Sequence, residues 1–202
     1  MAAFRLSILS FVFLASLGTF PVLGCDEGIS RRFLSDDFSN LVLNGDFERP
    51  RVRPGTEYLS YSAGDRLTGW SIDGPIDLLS GPIWEPAEGN QSLDLDGSCG
   101  TGGIHQDLPT EPGILYALRF ALAGNPNGSP TVKALEVSWG DTVVDTVVFD
   151  TTGGTKGNPG WGARGYTVVA TREITRLTFR SLSAGCYGAL LDAVSVRKIP
   201  SI

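Results

Sequence analysis

Residues 114–123 read ILYALRFALA, and every second side chain is large and apolar: Ile114, Tyr116, Leu118, Phe120 and Leu122. In an extended chain, side chains two apart share a face. Five bulky hydrophobes therefore line one side, with Ala117, Arg119, Ala121 and Ala123 on the other. The same period recurs over 133–139, where Leu135, Val137 and Trp139 oppose Glu136 and Ser138. It recurs again over 175–180, where Leu177 and Phe179 oppose Arg176, Thr178 and Arg180. One face on a core and one on water is the habit of antiparallel sheets.

From Asn40 onward, short β-branched and aromatic runs are broken by Gly, Pro, Asn or Asp at intervals of roughly ten residues. With 26 Gly and 12 Pro, no stretch sustains a helical period. Further strands are predicted near 41–43, 57–61, 76–79, 91–95, 103–108, 142–149, 166–170 and 189–196. About ten strands without helices predict an all-β sandwich or barrel. We place one such domain over 40–197, with a short tail at 198–202.

The front of the chain has a different character. Arg5, the apolar run LSILSFVFLASL at 6–17 and the small residues before Cys25 form the secretory order of charge, apolar stretch and cleavage site. Residues 1–24 are therefore predicted to be a signal peptide, too short for a comfortable membrane span, and the protein to be secreted. Residues 25–39 (CDEGISRRFLSDDFS) read as a flexible leader, in which Arg31-Arg32 is either a processing site or a solvated pair. The net charge of −6 offers no attraction to nucleic acid or anionic lipid. Of three cysteines, Cys25 sits at the predicted cleavage point, where a lipidated bacterial-type anchor is the alternative fate. Cys99 and Cys186 lie inside the patterned domain and are expected to pair in an oxidising compartment.

Catalytic constellations are hard to build from these residues. His105 is the only histidine, no serine stands in a G-x-S-x-G elbow, and Asp94 and Asp96 share one strand face rather than flank a trench. Those two acids are expected to be surface solubility groups, and His105 a solvated or hydrogen-bonded strand residue. We therefore expect a non-enzyme. Aromatic side chains in Gly/Pro-rich loops are the natural sugar platforms of a rigid sandwich. Trp84 (in SGPIWEPAEGN), Trp161 (in KGNPGWGARG), Tyr58 and Tyr61 are the candidates, or else the two tryptophans cap the sandwich ends. Trp70 and Trp139 are expected in the core. Arg49, Arg51 and Arg53 either meet uronate carboxylates or form a solvated turn. Asn90-Gln91-Ser92 is an N-glycosylation acceptor if the host is a eukaryote, and Asn127-Gly128-Ser129 a second one followed by Pro130.

Three segments carry a resemblance: NLVLNGDFE at 40–48 followed by LTGWS at 67–71, PAEGNQSLDL at 86–95 running into GIHQDL at 103–108, and CYGALLDAVSV at 186–196. Their order resembles the plant cell-wall family known as domain of unknown function 642, and its bacterial relatives, the choice-of-anchor C surface proteins. ALAGN at 121–125 and VSWG at 137–140 are similar to the latter group. The resemblance implies a galactose-binding-like jelly roll that binds cell-wall polysaccharide. It also implies, as an alternative, a partner that docks on a wall enzyme such as a pectin methylesterase; an acidic chain suits a basic enzyme. A glycoside-active enzyme is the third reading. In jelly rolls of this kind, an acid after the first strand and one on the last strand often meet at a structural calcium. The positions here are Glu48 and Asp192, with Asn44 and Asp46 beside them; the alternative for Asp192 is a salt bridge to Arg49 or Arg197.

Overall fold

The computed structural model describes residues 39–200. The expected signal peptide, the leader with Cys25 and the Arg31-Arg32 pair lie outside the described residues, as does the end of the expected tail. No helix occurs among the described residues. The strands are β1 (Tyr58–Tyr61), β2 (Arg66–Leu67), β3 (Trp70–Ile72), β4 (Ile76–Ser80), β5 (Gln91–Asp94) and β6 (Gly103–Pro109), then β7 (Leu115–Gly124), β8 (Val132–Trp139), β9 (Thr142–Asp150), β10 (Gly162–Val169), β11 (Ile174–Ser181) and β12 (Ala189–Lys198). One sheet has the order β1-β4-β5-β12-β7-β10 and the other β2-β3-β6-β11-β8-β9. All their pairings are antiparallel. The two sheets form the jelly-roll sandwich expected from the strand periods.

The alternating runs supply the core. Tyr116, Leu118, Phe120 and Leu122 of β7 are buried between the sheets, as are Leu135, Val137 and Trp139 of β8 and Leu177 and Phe179 of β11. Phe120 and Phe179 meet across the sandwich, edge to face, with centroids 5.1 Å apart. Trp70 and Trp139 are core residues, as expected. Each large side chain so buried contributes about 1.5–3 kcal/mol, and aromatic pairs add about 0.5–1.5 kcal/mol.

The segment 41–43 is not the strand its LVL pattern predicts. Its backbone makes one bond to β12, from Leu41 N–H to Val196 O at 2.9 Å, and side-chain amides take most of the remaining places. The Gln106 amide accepts from the Leu43 N–H and donates to its carbonyl, and Asn40 does the same for Val196 N–H and Val194 C=O. Gln91 completes the pattern, accepting from Val52 N–H and donating to the carbonyls of Phe47 and Pro50. Residues 40–52 thus lie against the sandwich without joining a ladder. Gly45 is the point of closest approach: a Cβ there would overlap the Val194 carbonyl, and Val194 N–H donates to Gly45 O at 2.8 Å.

A second correction concerns Asp94 and Asp96. Both are buried, not solvated. β4 and β5 are buried on both faces because later loops fold over the outside of their sheet. The expected water-facing side of β5 is therefore interior.

Candidate functional site

Alternation along β4 and β12 separates two apolar groups. Leu78 and Leu191 face the main core, while Leu79 and Leu190 face outward and join Ala123 and Trp84 in a second cluster. That outer cluster is roofed by the loop after β4 (81–90) and the loop after β9 (151–161). Backbone bonds shape the first loop: Ile83 and Trp84 N–H both donate to Ser80 O, and Gly81 N–H donates to Asn90 O. The chain turns at once and delivers the Trp84 indole back onto Leu79.

The two loops interlock. Glu85 N–H donates to Lys156 O at 2.8 Å, and Trp161 Nε1–H donates to Glu85 O at 2.9 Å. Trp84 Nε1–H donates to Glu57 Oε1 at 3.1 Å, an oxygen that also accepts from Lys156 Nζ. The Lys156 ammonium stands 4.4 Å from the Trp84 ring centroid, within range of a cation–π attraction. The Lys156 hydrogen bond and charge, with the Trp84 indole, hold the Glu57 carboxyl below the usual range against some desolvation.

This geometry sorts the four aromatic candidates. Trp84 is only 5% exposed, with a cation over its ring; it is a foundation of the site, not a platform. Trp161 packs on the same cluster but remains partly exposed. Tyr58 is 46% exposed and pairs with Leu79, so it stands on the same outer face. Tyr61 does not belong with them. Three residues from Tyr58, it points the opposite way and packs against the main core, where burial raises its hydroxyl pKa. Glu57 and Lys156 were missed by sequence reasoning. They are far apart in the chain, and nothing local marks either one.

The proposed metal ligands are used otherwise. Asp192 is buried on β12, and its Oδ2 accepts from Ala87 and Glu88 N–H, each at 2.9 Å. Glu48 Oε1 accepts from Asn90 and Gln91 N–H. Both carboxylates therefore anchor the 81–90 loop from beneath and from its end. Asn44 is turned elsewhere, with its amide on Arg49 N–H and on the carbonyls of Arg49 and Thr68. A calcium ion needs several oxygens converging on one point, and these carboxylate oxygens face amide N–H donors instead. Among the described residues no three His, Cys, Asp or Glu side chains converge on a metal position. The set does not fit calcium. Desolvation pushes Asp192 up to about 7 despite its three backbone amides, and Glu88 adds to the rise.

Cys99 and Cys186 are disulfide-bonded, closing a sequence separation of 87 residues. Asn90 is exposed at the end of the 81–90 loop. His105 Nδ1 pairs with Asp73 Oδ2 at 2.7 Å across β3 and β6.

A family model described as protein of unknown function (DUF642) matches residues 40–197. Halomucin of Haloquadratum walsbyi is 30% identical over 165 residues, covering 78% of this chain and 2% of halomucin. The chain thus spans a very small part of that relative. A family 35 carbohydrate binding module from Clostridium thermocellum is similar in structure with a TM-score of 0.47 and 17% identity, covering 70% of this chain and 98% of the module. TmCBM61 in complex with β-1,4-galactotriose has a TM-score of 0.49 and 18% identity, covering 80% of this chain and 99% of that one. The fold assignment itself rests on the strand order and pairings above.

Proposed function

The chain belongs to the DUF642 family, and on that premise we propose that it is a secreted, non-catalytic protein that binds polysaccharide outside the cell. The observation that carries the reading is the interlocked pair of loops that presents Trp161 above the buried Trp84. Sugar rings stack on exposed aromatic faces, and neighbouring polar groups fix their hydroxyls. Trp161 and Tyr58 supply the faces. Glu57 and Lys156, each partly exposed and tied to one another, supply acceptor and donor. Hydrogen bonds hold both loops in place, so a ligand meets a preformed surface with little ordering cost.

The N-terminal signal pattern and the wall association of the plant proteins that the motifs resemble support an extracellular, wall-facing role. The test is retention of the purified protein on insoluble cellulose, xylan and pectin. Retention on one polymer, weakened by Trp161→Ala, supports the reading; equal passage through all three opposes it.

The net charge of −6 favours a second reading, docking on a basic wall enzyme such as a pectin methylesterase. That association would weaken with salt and be indifferent to Trp161→Ala.

A further inference from the structure

Arg49, Arg51 and Arg53 alternate along the segment that follows Phe47, and all three are exposed. Elsewhere Lys156, Arg172, Arg176 and Lys198 each pair with a carboxylate. Among the described residues, the guanidinium groups of Arg49, Arg51 and Arg53 make no hydrogen bond or ion pair. Like charges this close repel one another. The chain nevertheless concentrates three of its cations here, although its net charge is −6.

The backbone that carries them is pinned. Arg49 N–H donates to Asn44 Oδ1 at 3.0 Å, and Asn44 Nδ2 donates to the Arg49 carbonyl at 2.7 Å. The Gln91 side chain accepts from Val52 N–H at 2.6 Å and donates to the Pro50 carbonyl at 3.0 Å. Val52 is buried, so Arg51 and Arg53 stand at the surface on either side of a fixed point. Thr56 N–H donates to Arg53 O at 3.0 Å, closing a turn that leads into Glu57 and Tyr58. On the other flank, Gln91 follows Asn90 at the end of the 81–90 loop, which carries Trp84 and Glu85. The three cations therefore form a fixed rim beside the surface that Trp161 and Tyr58 line.

We infer that Arg49, Arg51 and Arg53 bind the carboxylates of a polyuronate, which makes an acidic polysaccharide the ligand of the neighbouring aromatic surface; this rests on the polysaccharide reading above. A guanidinium offers a planar carboxylate two parallel N–H bonds, a match that a sugar hydroxyl cannot make. Exposed ion pairs are weak singly, but several made to one polymer act together. Charge density decides against nucleic acid. Duplex DNA carries one negative charge about every 1.7 Å, more than three arginines neutralise on an acidic chain. A polyuronate carries one carboxylate per sugar ring, and its hydroxyls suit the acceptor and donor that Glu57 and Lys156 supply.

The experiment is calorimetric titration of the purified protein with soluble polygalacturonate, with the same polymer methyl-esterified, and with duplex DNA, at low and at physiological salt. Esterification removes the charge and keeps the chain of rings. The expected result is affinity for polygalacturonate at least about tenfold above that for its ester or for DNA, weakening as salt screens the pairs. Replacing Arg49, Arg51 and Arg53 together by Gln should lower that affinity about tenfold, a few fold for each exposed pair. Affinity for the ester should stay unchanged, and the unfolding midpoint should not fall. Equal affinity of the wild type for polymer and ester would overturn the inference, a result that depends on no variant. So would DNA binding as tight as polygalacturonate binding, or a folded triple variant that binds polygalacturonate as the wild type does. The two readings fail separately. Retention on cellulose or xylan through Trp161, without preference for carboxylate, would keep the polysaccharide reading and sink this one. Polygalacturonate binding that needs the arginines but is indifferent to Trp161→Ala would support the arginine rim and remove the aromatic surface.

Discussion

Trp161 donates its indole N–H to the carbonyl of Glu85 at 2.9 Å, which fastens the loop after β9 to the loop after β4. The two indoles of this roof therefore have separable roles. Trp84 is buried beneath it, and Trp161 is partly exposed above. Replacing Trp84 by Ala should cost about 3 kcal/mol, the lower end for a buried aromatic, because the cavity opens near the surface. Trp161→Ala should cost clearly less. Urea unfolding of the two variants distinguishes these roles; equal losses would mean that both residues are foundations.

Gly45 lies where a methyl group would overlap the Val194 carbonyl. Val194 is also the partner of Gly45 O, so backbone cannot retreat without losing that bond. Gly45→Ala should destabilise by about 1–3 kcal/mol, the usual range for overpacking. Thermal unfolding checks it. An unchanged midpoint would show that residues 40–52 are not clamped as described.

Asp192 should give the protein a specific pH response. Its folded pKa of about 7 lies above the reference value of 3.8, so between those values the folded state holds a proton that the unfolded state has lost. Stability from this group is thus highest at low pH and falls as pH rises through the window, by up to about 1.4 kcal/mol per unit. Above the folded value it falls no further. Asp107, beside Arg176, and Glu57, beside Lys156, are held low and act in the opposite sense. The informative quantity is therefore the difference between wild type and Asp192→Asn. That difference should shrink from neutral pH toward pH 4; a constant difference would contradict the assignment.

The Cys99–Cys186 bond closes a long loop. Its removal should cost about 4–5 kcal/mol through the entropy regained by the unfolded chain. Comparing wild type with a variant in which both cysteines are replaced by serine, by denaturant unfolding, reads this directly.

How legible this was follows the period of each segment. β7, β8 and β11 alternate cleanly because one face meets the core and the other faces outward, and their facing side chains could be named from residue types alone. β4 and β5 could not be read that way. Asp94 in QSLD looks like a solvent residue, and only loops arriving from elsewhere in the chain make its surroundings interior. β2 and β3, of two and three residues, are too short to show any period. At 41–43 the apolar pattern is strand-like, but the side-chain amides of Asn40 and Gln106 accept from Val42 and Leu43 N–H in place of a partner strand.

The site divides along the same line. Tryptophans in Gly/Pro-rich loops were visible as loop aromatics, because turn residues mark loops reliably. Which indole would be buried was not, since that depends on Leu79 and Leu190 facing outward from a sheet. Tyr58 and Tyr61 differ in side by simple strand parity, once the register of β1 is known. Glu48 and Asp192 do share one feature, the loop they both hold, but their partners are amide N–H groups, which residue type alone does not reveal.

The most direct test of the polysaccharide reading is a titration of wild type and Trp161→Ala with soluble fragments of whichever polymer retains the protein, followed by tryptophan fluorescence and calorimetry. Saturable binding by the wild type with a change in indole emission is expected. Trp161→Ala is expected to lose at least about tenfold in affinity, roughly 1.4 kcal/mol, with unfolding still cooperative. Equal affinity in the two proteins would place the sugar elsewhere, and no saturable binding by the wild type would contradict the proposed function.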